Sequence, residues 1–190
     1  MKALIIISHP ETESFCYDGI YRTIKSTLSE NENVEIKTAE LYQENFGRDN
    51  KELIEKYKEY VSWSTHIYFV SPVWWFRCTP KLEVFFDEIF TPGFAYNFVS
   101  LTKTIGFPSP LLKDKVVRTF VTHGAPAFPV LTLYANSVKL RLIMGVYTFV
   151  FGWNYRLWFR TRQFWSVPFV SREKRISYLE TVKKDIQKDL

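Results

Sequence analysis

The sequence predicts an α/β fold in which a doubly wound, five-stranded parallel sheet carries helices on both faces. Two runs, Ala3–Ile7 and His66–Val70, are continuously apolar and not alternating, as expected for parallel strands buried on both faces, and Val116–Val121 is predicted as a further strand. Segments with helical spacing separate these runs, which favours right-handed β–α–β crossovers. The 190 residues show no repeat and no interdomain linker, so we expect one domain over residues 1–190.

The first half of the chain predicts three strands and three helices. After the first strand, one stripe of apolar residues recurs at helical spacing: Tyr17, Ile20, Ile24 and Leu28. A short alternating strand follows at Val34–Ile36. A second helix is marked by Leu53, Ile54, Tyr57 and Val61. After the strand at His66–Val70, Pro80 suits the first turn of a third helix. The buried stripe of that helix is expected at Leu82, Phe85, Phe86, Ile89 and Phe90.

The second half predicts two more strands and two more helices. Residues 94–112 contain several prolines and suggest an ordered excursion from the sheet. A helix is expected between Tyr134 and Phe151, and a fifth strand within Trp153–Val167. Ser171 is placed to cap a final amphipathic helix. Its apolar side is expected at Ile176, Leu179, Val182 and Ile186. A strand order of 2-1-3-4-5 suits this pattern.

Composition and charge narrow the class of protein. The 17 Phe, 11 Tyr and 6 Trp suit a large core, a flat ring-lined pocket or a dimer interface. The net charge of +5 argues against an acidic electron carrier and fits attraction of phosphorylated cofactors. Cys16 and Cys78 are the only cysteines and no signal peptide is recognised, so we expect a cytoplasmic protein without disulfides. Cys16 is interpreted as a packing residue and not as a nucleophile.

The sequence gives weaker indications of a membrane, nucleic acid or a metal ion as a partner. Leu142–Trp153 is nearly all apolar but shorter than the roughly 20 residues that span a bilayer, so a buried helix is expected. Arg156, Arg160 and Arg162 alternate with aromatic residues, which suits a membrane surface, nucleic acid or a strand with one exposed face. The strand is the favoured interpretation; peripheral membrane contact stays open, and nucleic acid is not expected. The widely spaced histidines and cysteines predict no metal site.

The loop after the first strand is the first of three that should meet at one edge of the sheet. Its candidates are His9 and the stretch Glu13, Ser14, Phe15 and Cys16. Unpaired amides and the positive dipole at a helix start attract anions, although Ser14 also suits an ordinary helix cap. The loop lacks the glycine-rich signatures of dinucleotide folds and of nucleotide triphosphatases. A phosphate of another kind, such as the tail of a flavin, is therefore suggested.

The second loop follows the third strand and contains tandem tryptophans. It consists of Pro72, Val73, Trp74, Trp75 and Phe76. These aromatic side chains suit either a plug in the core or a wall for a flat ring such as an isoalloxazine. The segment alone does not decide between the two interpretations. Together with the first loop, it favours a flavin.

The third loop follows the fourth strand and consists of Thr122, His123, Gly124 and Ala125. Its small residues and backbone amides could stabilise negative charge on a reduced flavin ring. His123 is the candidate for proton transfer, although a lone loop histidine is commonly structural. No catalytic triad or nucleophile elbow is present.

Four segments, in chain order, resemble the flavodoxin-like NAD(P)H:quinone oxidoreductase family, which includes bacterial modulators of drug activity and general stress reductases. They are His9-Pro10-Glu11-x-x-Ser14-Phe15, Ser71-Pro72-x-Trp74-Trp75, Phe86-Asp87-x-x-Phe90-x-x-Gly93-Phe94-Ala95-Tyr96 and Thr122-x-Gly124-Ala125. The chain departs from the family pattern at three positions. Cys16 stands where Asn is common, and His123 and Ala125 replace the Thr and Gly of a Thr-Thr-Gly-Gly loop.

The resemblance implies a homodimer with a flavin at each of two interface sites. Hydride would pass from NAD(P)H to flavin N5, and a quinone would then bind in the same place, in a ping-pong, two-electron reaction. FAD is the expected flavin, with FMN as the alternative. The first loop would hold its phosphates, while the second and third would flank the ring, with the Trp75 and Phe76 amides at its N5–O4 edge. Tyr96 and Phe98 would line the substrate pocket, and Phe128 and Tyr134 are candidates for its rim.

A second function stays open beside this one. Some relatives in the same family are flavin-binding accessory proteins of membrane transport systems. The apolar Leu142–Trp153 helix and the basic segment after it could serve such docking. No catalytic residue is carried over from the resemblance.

Overall fold

The strands form the predicted parallel sheet. A computed structural model describes residues 1–100, 102 and 106–190. The strands are β1 Lys2–Ile7, β2 Glu35–Glu40, β3 His66–Pro72, β4 Tyr96–Ser100, β5 Gly106–Pro110, β6 Val116–Thr122 and β7 Thr161–Phe164. Five of them form one sheet in the order β2-β1-β3-β6-β7, and all of its pairings are parallel. This confirms the predicted order 2-1-3-4-5, with β6 and β7 as the fourth and fifth strands.

The helices connect these strands. A π-helical segment, Phe15–Tyr21, continues as α1 Arg22–Ser29, and is followed by α2 Lys51–Trp63, α3 Pro80–Ile89 and α4 Ala127–Leu131. The helix expected before residue 151 consists of α5 Ser137–Leu140, a π-helical segment Arg141–Tyr147 and α6 Thr148–Phe151. The chain ends with α7 Arg156–Arg160 and α8 Arg172–Gln187. Among the described residues, no helix has the length and apolar character to cross a membrane.

The two faces of the sheet have separate cores, which confirms helices on both sides. Ala3, Ile5 and Ile7 of β1 share one core with residues of α1 and α8. Leu4 and Ile6 belong to the other core, with residues of α2, α3 and the helix over 137–151. Because successive side chains of a strand point to opposite faces, each central strand contributes apolar residues to both cores, and β6 also carries the buried polar residues Arg118 and Thr119.

Two sequence predictions are wrong in part. Arg156–Arg160 was expected within a strand but forms α7, and only Thr161–Phe164 joins the sheet. Ile176 was placed on the apolar side of the final helix but is 48% exposed. Ile176 and Val182 are six residues apart, which places their side chains about 120° apart around the helix axis. Ile176 therefore does not share the side of the buried Val182.

The expected excursion contains an antiparallel pair, β4 with β5. Residues 101 and 103–105, which lie between these two strands, are outside the described residues.

Candidate functional site

The three predicted loops meet at the carboxyl ends of the central strands around a cavity of about 390 Å³. From these loops it is lined by His9, Ser14, Phe15, Cys16, Pro72, Val73, Trp74, Thr122, His123 and Gly124. Trp75, Phe76 and Ala125 line an adjoining cavity of about 160 Å³, which shares Val73, His123 and Gly124 with the first. Of the residues proposed for the cofactor, Glu13 alone lines neither cavity. It is exposed, as is Glu11.

Ser14 both caps the first helix and lines the cavity. Its hydroxyl accepts a hydrogen bond from the Tyr17 amide at 3.2 Å and donates to the Glu11 carbonyl at 2.8 Å. The capping interpretation is therefore confirmed. The amides of Phe15 and Cys16 belong to the first helical turn, where an amide has no intrahelical partner. This end of the cavity suits an anion.

His9 is held in one orientation at the same end of the cavity. Its Nδ1 accepts a hydrogen bond from the Glu11 amide at 3.0 Å, so that Nε2 carries the proton of the neutral ring and serves as a donor. Burial lowers the pKa of His9, partly offset by the Glu11 charge. The Gln43 amide donates to the His9 and Pro10 carbonyls, both at 3.2 Å, and steadies the loop.

Cys16 joins the first loop to the third. Its buried Sγ lies 3.0 Å from the Thr122 hydroxyl. Burial raises the pKa of the Cys16 thiol to about 12, against the effect of the Thr122 hydrogen bond. The group stays a protonated thiol near neutral pH, which agrees with a packing role and not with a nucleophile.

The tandem tryptophans lie in a strained two-residue turn. Trp74 and Arg77 exchange backbone hydrogen bonds of 2.8 and 3.1 Å across it. The two central residues, Trp75 and Phe76, have φ values of +50° and +58°, a conformation that normally selects Gly, Asn or Asp. Trp75 is 92% exposed, so a plug in the core is wrong for it. The Phe76 ring contacts the ring of Tyr134, with 4.3 Å between centroids.

We expect the bulky aromatic residues at the two central positions of this turn to lower the stability of the protein. Replacing Trp75-Phe76 by Asn-Gly should raise the free energy of unfolding by about 1 kcal/mol, because relief of about 1 kcal/mol at each of the two left-handed residues is partly offset by loss of the contact between Phe76 and Tyr134. Urea denaturation without added ligand measures the change. Trp75→Ala is the control, because alanine keeps most of the backbone strain. A less stable Asn-Gly variant would contradict this account.

The third loop is fixed by the last strand and the segment after it. The His123 amide donates to the Phe164 carbonyl at 2.7 Å, and the Val167 amide donates to the His123 carbonyl at 2.9 Å. The His123 ring stacks on Trp165 with 4.3 Å between centroids, and its Nε2 lies 3.1 Å from the Gln163 amide nitrogen. Burial lowers the pKa of His123 to about 4. Near neutral pH the ring is therefore neutral and immobilised, which suits a wall of the cavity better than a proton shuttle.

This histidine should make the protein sensitive to acid. A His with a depressed folded pKa is fully stabilising above its unfolded pKa of about 6.5 and loses that contribution as the pH falls toward 4. We expect a loss of roughly 2 kcal/mol between pH 7 and pH 5 from this residue. Denaturation profiles of His123→Phe, which keeps a stacked ring but cannot titrate, should be flatter over this range.

The corresponding variant of the less buried His66 provides the comparison and should flatten the profile less. Parallel profiles for wild type and His123→Phe would show that His123 is not the cause.

A fourth segment completes the larger cavity and was missed in the sequence. Val167 and Pro168 follow β7, and Arg175 lies in the first part of α8. Arg175 donates from Nη2 to the Pro168 carbonyl at 3.2 Å, while its buried Nε has no hydrogen-bond partner among the described residues. Arg175 is the only charged residue that lines this cavity, within the part of the chain that is described, so the cavity favours an anion.

Tyr96 and Phe98 do not line these cavities. They lie on β4, where their rings are 5.4 Å apart, and Phe98 is largely exposed. Their assignment to a substrate pocket would require a second subunit and stays a prediction. Phe128 is exposed as well, whereas Tyr134 reaches the site through Phe76.

Comparison with known proteins agrees with this architecture. A model of the flavodoxin-like fold matches residues 1–138. The chain belongs to the flavodoxin-like family. None of the curated proteins is a significant match in sequence.

Solved structures extend the likeness to nearly the whole flavodoxin-like chain. Smu.1420 from Streptococcus mutans UA159 has a TM-score of 0.83 at 23% identity, covering 99% of this chain and 100% of its own. A putative quinone reductase from Klebsiella pneumoniae has a TM-score of 0.80 at 16% identity, with coverage of 98% and 84%. An FMN-dependent NADH-azoreductase from Bacillus anthracis, in complex with FMN, has a TM-score of 0.72 at 17% identity, with both chains covered to 98%. At these identities the likeness establishes the fold.

The flavodoxin-like topology explains why a fourth segment reaches the site. The loop after β7 leaves the same edge of the parallel sheet as the other three loops. Ser171, as the predicted N-terminal cap, already located the start of α8 in the sequence, and Arg175 lies about one helical turn after Ser171. A cation in the first turns of a helix that begins beside the other loops is the signal that could have found it.

Proposed function

We propose that this protein binds a flavin in the two adjoining cavities and uses NAD(P)H to reduce quinones or related acceptors. The observation that carries the proposal is the pairing of an anion site with exposed aromatic rings at one end of the sheet. His9, Ser14, the first helical turn and Arg175 form the anion end. Trp75 and Phe76 supply rings in the adjoining cavity, and Trp74 supplies a ring 6.1 Å from that of His9 in the first cavity. The Klebsiella and Bacillus structures, named as a quinone reductase and an NADH-azoreductase, support this choice.

The described residues fit a flavin in three respects. The buried Nε of Arg175 lacks a partner that a phosphate oxygen would supply. A Cβ added at Gly124 would meet no atom within 4 Å, so this part of the loop leaves open space beside the backbone. Trp75 exposes a large apolar surface that a flat ring would cover. A bound flavin would supply hydride acceptance from NAD(P)H and two-electron donation to the acceptor.

The protein's own residues would then position the flavin ring and polarise it. The amides of the Gly124–Ala125 segment would stabilise negative charge at one polar edge of the ring, as in an oxyanion hole. Trp75 and Phe76 would cover the ring, and their strained backbone presents their amides at the turn. His123 would act as a positioning residue, because its ring is neutral and stacked on Trp165.

Two finer features belong to the proposal. FAD was expected from the resemblance, but the moderate volume of the main cavity and the FMN complex of the Bacillus azoreductase favour FMN. A homodimer in the cytoplasm would allow Tyr96 and Phe98 of each chain to reach its partner's site. That arrangement would also cover part of the exposed aromatic surface.

The decisive experiment combines spectroscopy and turnover. Purified protein, reconstituted with FMN or with FAD, should show flavin absorbance and oxidise NADH or NADPH when menadione is added. The better-retained flavin identifies the cofactor. Arg22→Met, remote from the cavities, is the control for purification and assay. A protein that retains neither flavin would overturn the proposal.

The accessory-protein alternative predicts a different result from the same assay. Flavin would be retained, but neither nicotinamide would be oxidised in the presence of menadione. The helix invoked for docking does not favour this alternative, because Leu142, Ile143, Tyr147, Val150 and Phe151 are buried in the protein's own core.

A further inference from the structure

The two parts of the chain differ strongly in charge. Residues 1–114 contain 12 Lys and Arg against 16 Asp and Glu, a net charge of −4, whereas residues 115–190 contain 13 against 4, a net charge of +9. Within residues 115–172 there are eight Lys and Arg and no Asp or Glu. Such asymmetry between two parts of a chain favours an anionic partner for the basic part.

Four exposed aromatic side chains, all within residues 153–159, lie in the basic part of the chain, and Phe107 precedes it. Trp153, Tyr155 and Phe159 are each about two-thirds exposed, and Trp158 and Phe107 are also exposed. Phe107, Lys113 and Trp153 line a common cavity of about 440 Å³, and Lys139, Trp158 and Phe159 line another of about 250 Å³. The helix α7 contributes Trp158 and Phe159 to the second cavity and begins two residues after Asn154, which lines the first. We call Phe107, Trp153, Tyr155, Trp158 and Phe159 the aromatic face.

Within the described part of the chain, cations without a carboxylate partner accompany this face. Among the residues that the structure describes, Lys113, Lys139 and Arg156 form no ion pair. The Lys139 ammonium lies 4.5 Å from the centroid of the Trp158 ring. Arg160 and Arg162, in contrast, are engaged by Asp189 and Asp185 of α8. Asp114 is the carboxylate next to Lys113, and it lies 3.7 Å from Lys115.

We propose that the aromatic face docks the protein on an anionic membrane surface, with its rings at the level of the headgroups and Lys113, Lys139 and Arg156 toward anionic lipids. Trp and Tyr favour this interface because their rings are apolar with a polar edge. Basic side chains beside them add electrostatic attraction to anionic lipids. The proposal is independent of the flavin chemistry, although such a position would give access to lipid-soluble quinones.

Charge complementarity favours a membrane over other occupants. A two-fold contact places the same patch of both copies together, and a patch in which Lys113, Lys139 and Arg156 outnumber the neighbouring Asp114 would repel itself. Nucleic acid would require many cations aimed at phosphates. Here most arginines of the segment are already paired within the protein, and the exposed surface is mainly aromatic.

Vesicle binding by the full chain tests the proposal without substrate or cofactor turnover. The probes are vesicles of phosphatidylcholine alone and of phosphatidylcholine mixed with phosphatidylglycerol, assayed by flotation and by tryptophan emission. We expect binding to the mixed vesicles at least about tenfold tighter than to the neutral ones, weakening with salt. Equal or absent binding to both would overturn the proposal.

Two matched pairs of variants locate the contact. Arg156→Glu and Phe159→Ser should each weaken binding to the mixed vesicles by about fivefold or more. Arg22→Glu and Phe169→Ser change an exposed arginine and an exposed phenylalanine outside the aromatic face and should bind as wild type. Equal effects of test and control variants would overturn the proposal. The proposal would also be overturned if Arg156→Glu and Phe159→Ser left vesicle binding unchanged but dissociated a dimer or abolished binding to a DNA duplex.

Discussion

Replacing Arg175 by methionine is expected to weaken flavin binding by about 10- to 100-fold, the range for loss of a charge-assisted contact to a phosphate. Arg175 is the only charged residue around the site cavity of about 390 Å³ among the described residues, and its Nε is buried without a partner there. Methionine preserves most of the apolar stem, so the packing of α8 on the core should survive. Flavin fluorescence titration of the apoprotein measures the dissociation constant.

The design separates a phosphate contact from a structural role. Arg172→Met removes an exposed arginine from the same helix and should leave the dissociation constant unchanged. Arg175→Lys keeps the charge but loses the planar fork, so we expect it to fall between wild type and methionine. If riboflavin, which has no phosphate, loses as much affinity as FMN in the Arg175→Met protein, the contact is not with a phosphate.

The central architecture could be predicted because its sequence patterns are compatible with few other structures. A continuous apolar run such as Ile67–Val70 suits only a strand covered on both faces, and strands of this kind with helices between them form parallel sheets. The helices α4 and α7 escaped prediction because five residues are too few for a helical period to show. The π-helical turns at Phe15–Tyr21 leave no comparable pattern in the sequence.

The site was predictable as far as it follows from topology. Parallel strands deliver their following loops to one edge, and the first three loops were recognised on that basis. The conformation of Trp75 and Phe76 was not, since bulky residues at positive φ contradict the usual turn preferences. Arg175 was missed because its approach depends on the loop after β7, which packs against His123 through the Val167 amide.

Loss of the Arg118 guanidinium should have the largest effect on stability. Arg118 lies on β6 and is 5% exposed, and it bonds Asp189 with Nε and Nη2, both at 2.7 Å. Its Nη1 also lies 3.5 Å from Asp185. Arg118→Met should lower the free energy of unfolding by about 3–5 kcal/mol, because two buried carboxylates then lose their shared cation. Arg22→Met, which breaks an exposed pair with Asp18, should change it by less than about 1 kcal/mol.

A double variant distinguishes an electrostatic cause of this loss of stability from a loss of packing. If Arg118→Met is destabilising because the Asp189 charge stays buried, Arg118→Met combined with Asp189→Asn should be less destabilised than the sum of the single variants. Additive losses in urea denaturation would refute the electrostatic explanation.

The loss of stability at acidic pH provides a second test of the ion pairs between Arg118, Asp185 and Asp189. Burial opposes ionisation of Asp185, but the Arg162 hydrogen bond and the Arg118 charge outweigh it and hold the pKa of this carboxyl below its ordinary value. A depressed carboxyl pKa contributes stability above its unfolded value, and this contribution is lost as the pH falls through the folded value. Because Arg118→Met removes part of the cause, the variant should lose less stability on acidification than wild type, and an unchanged acid slope would contradict the assignment.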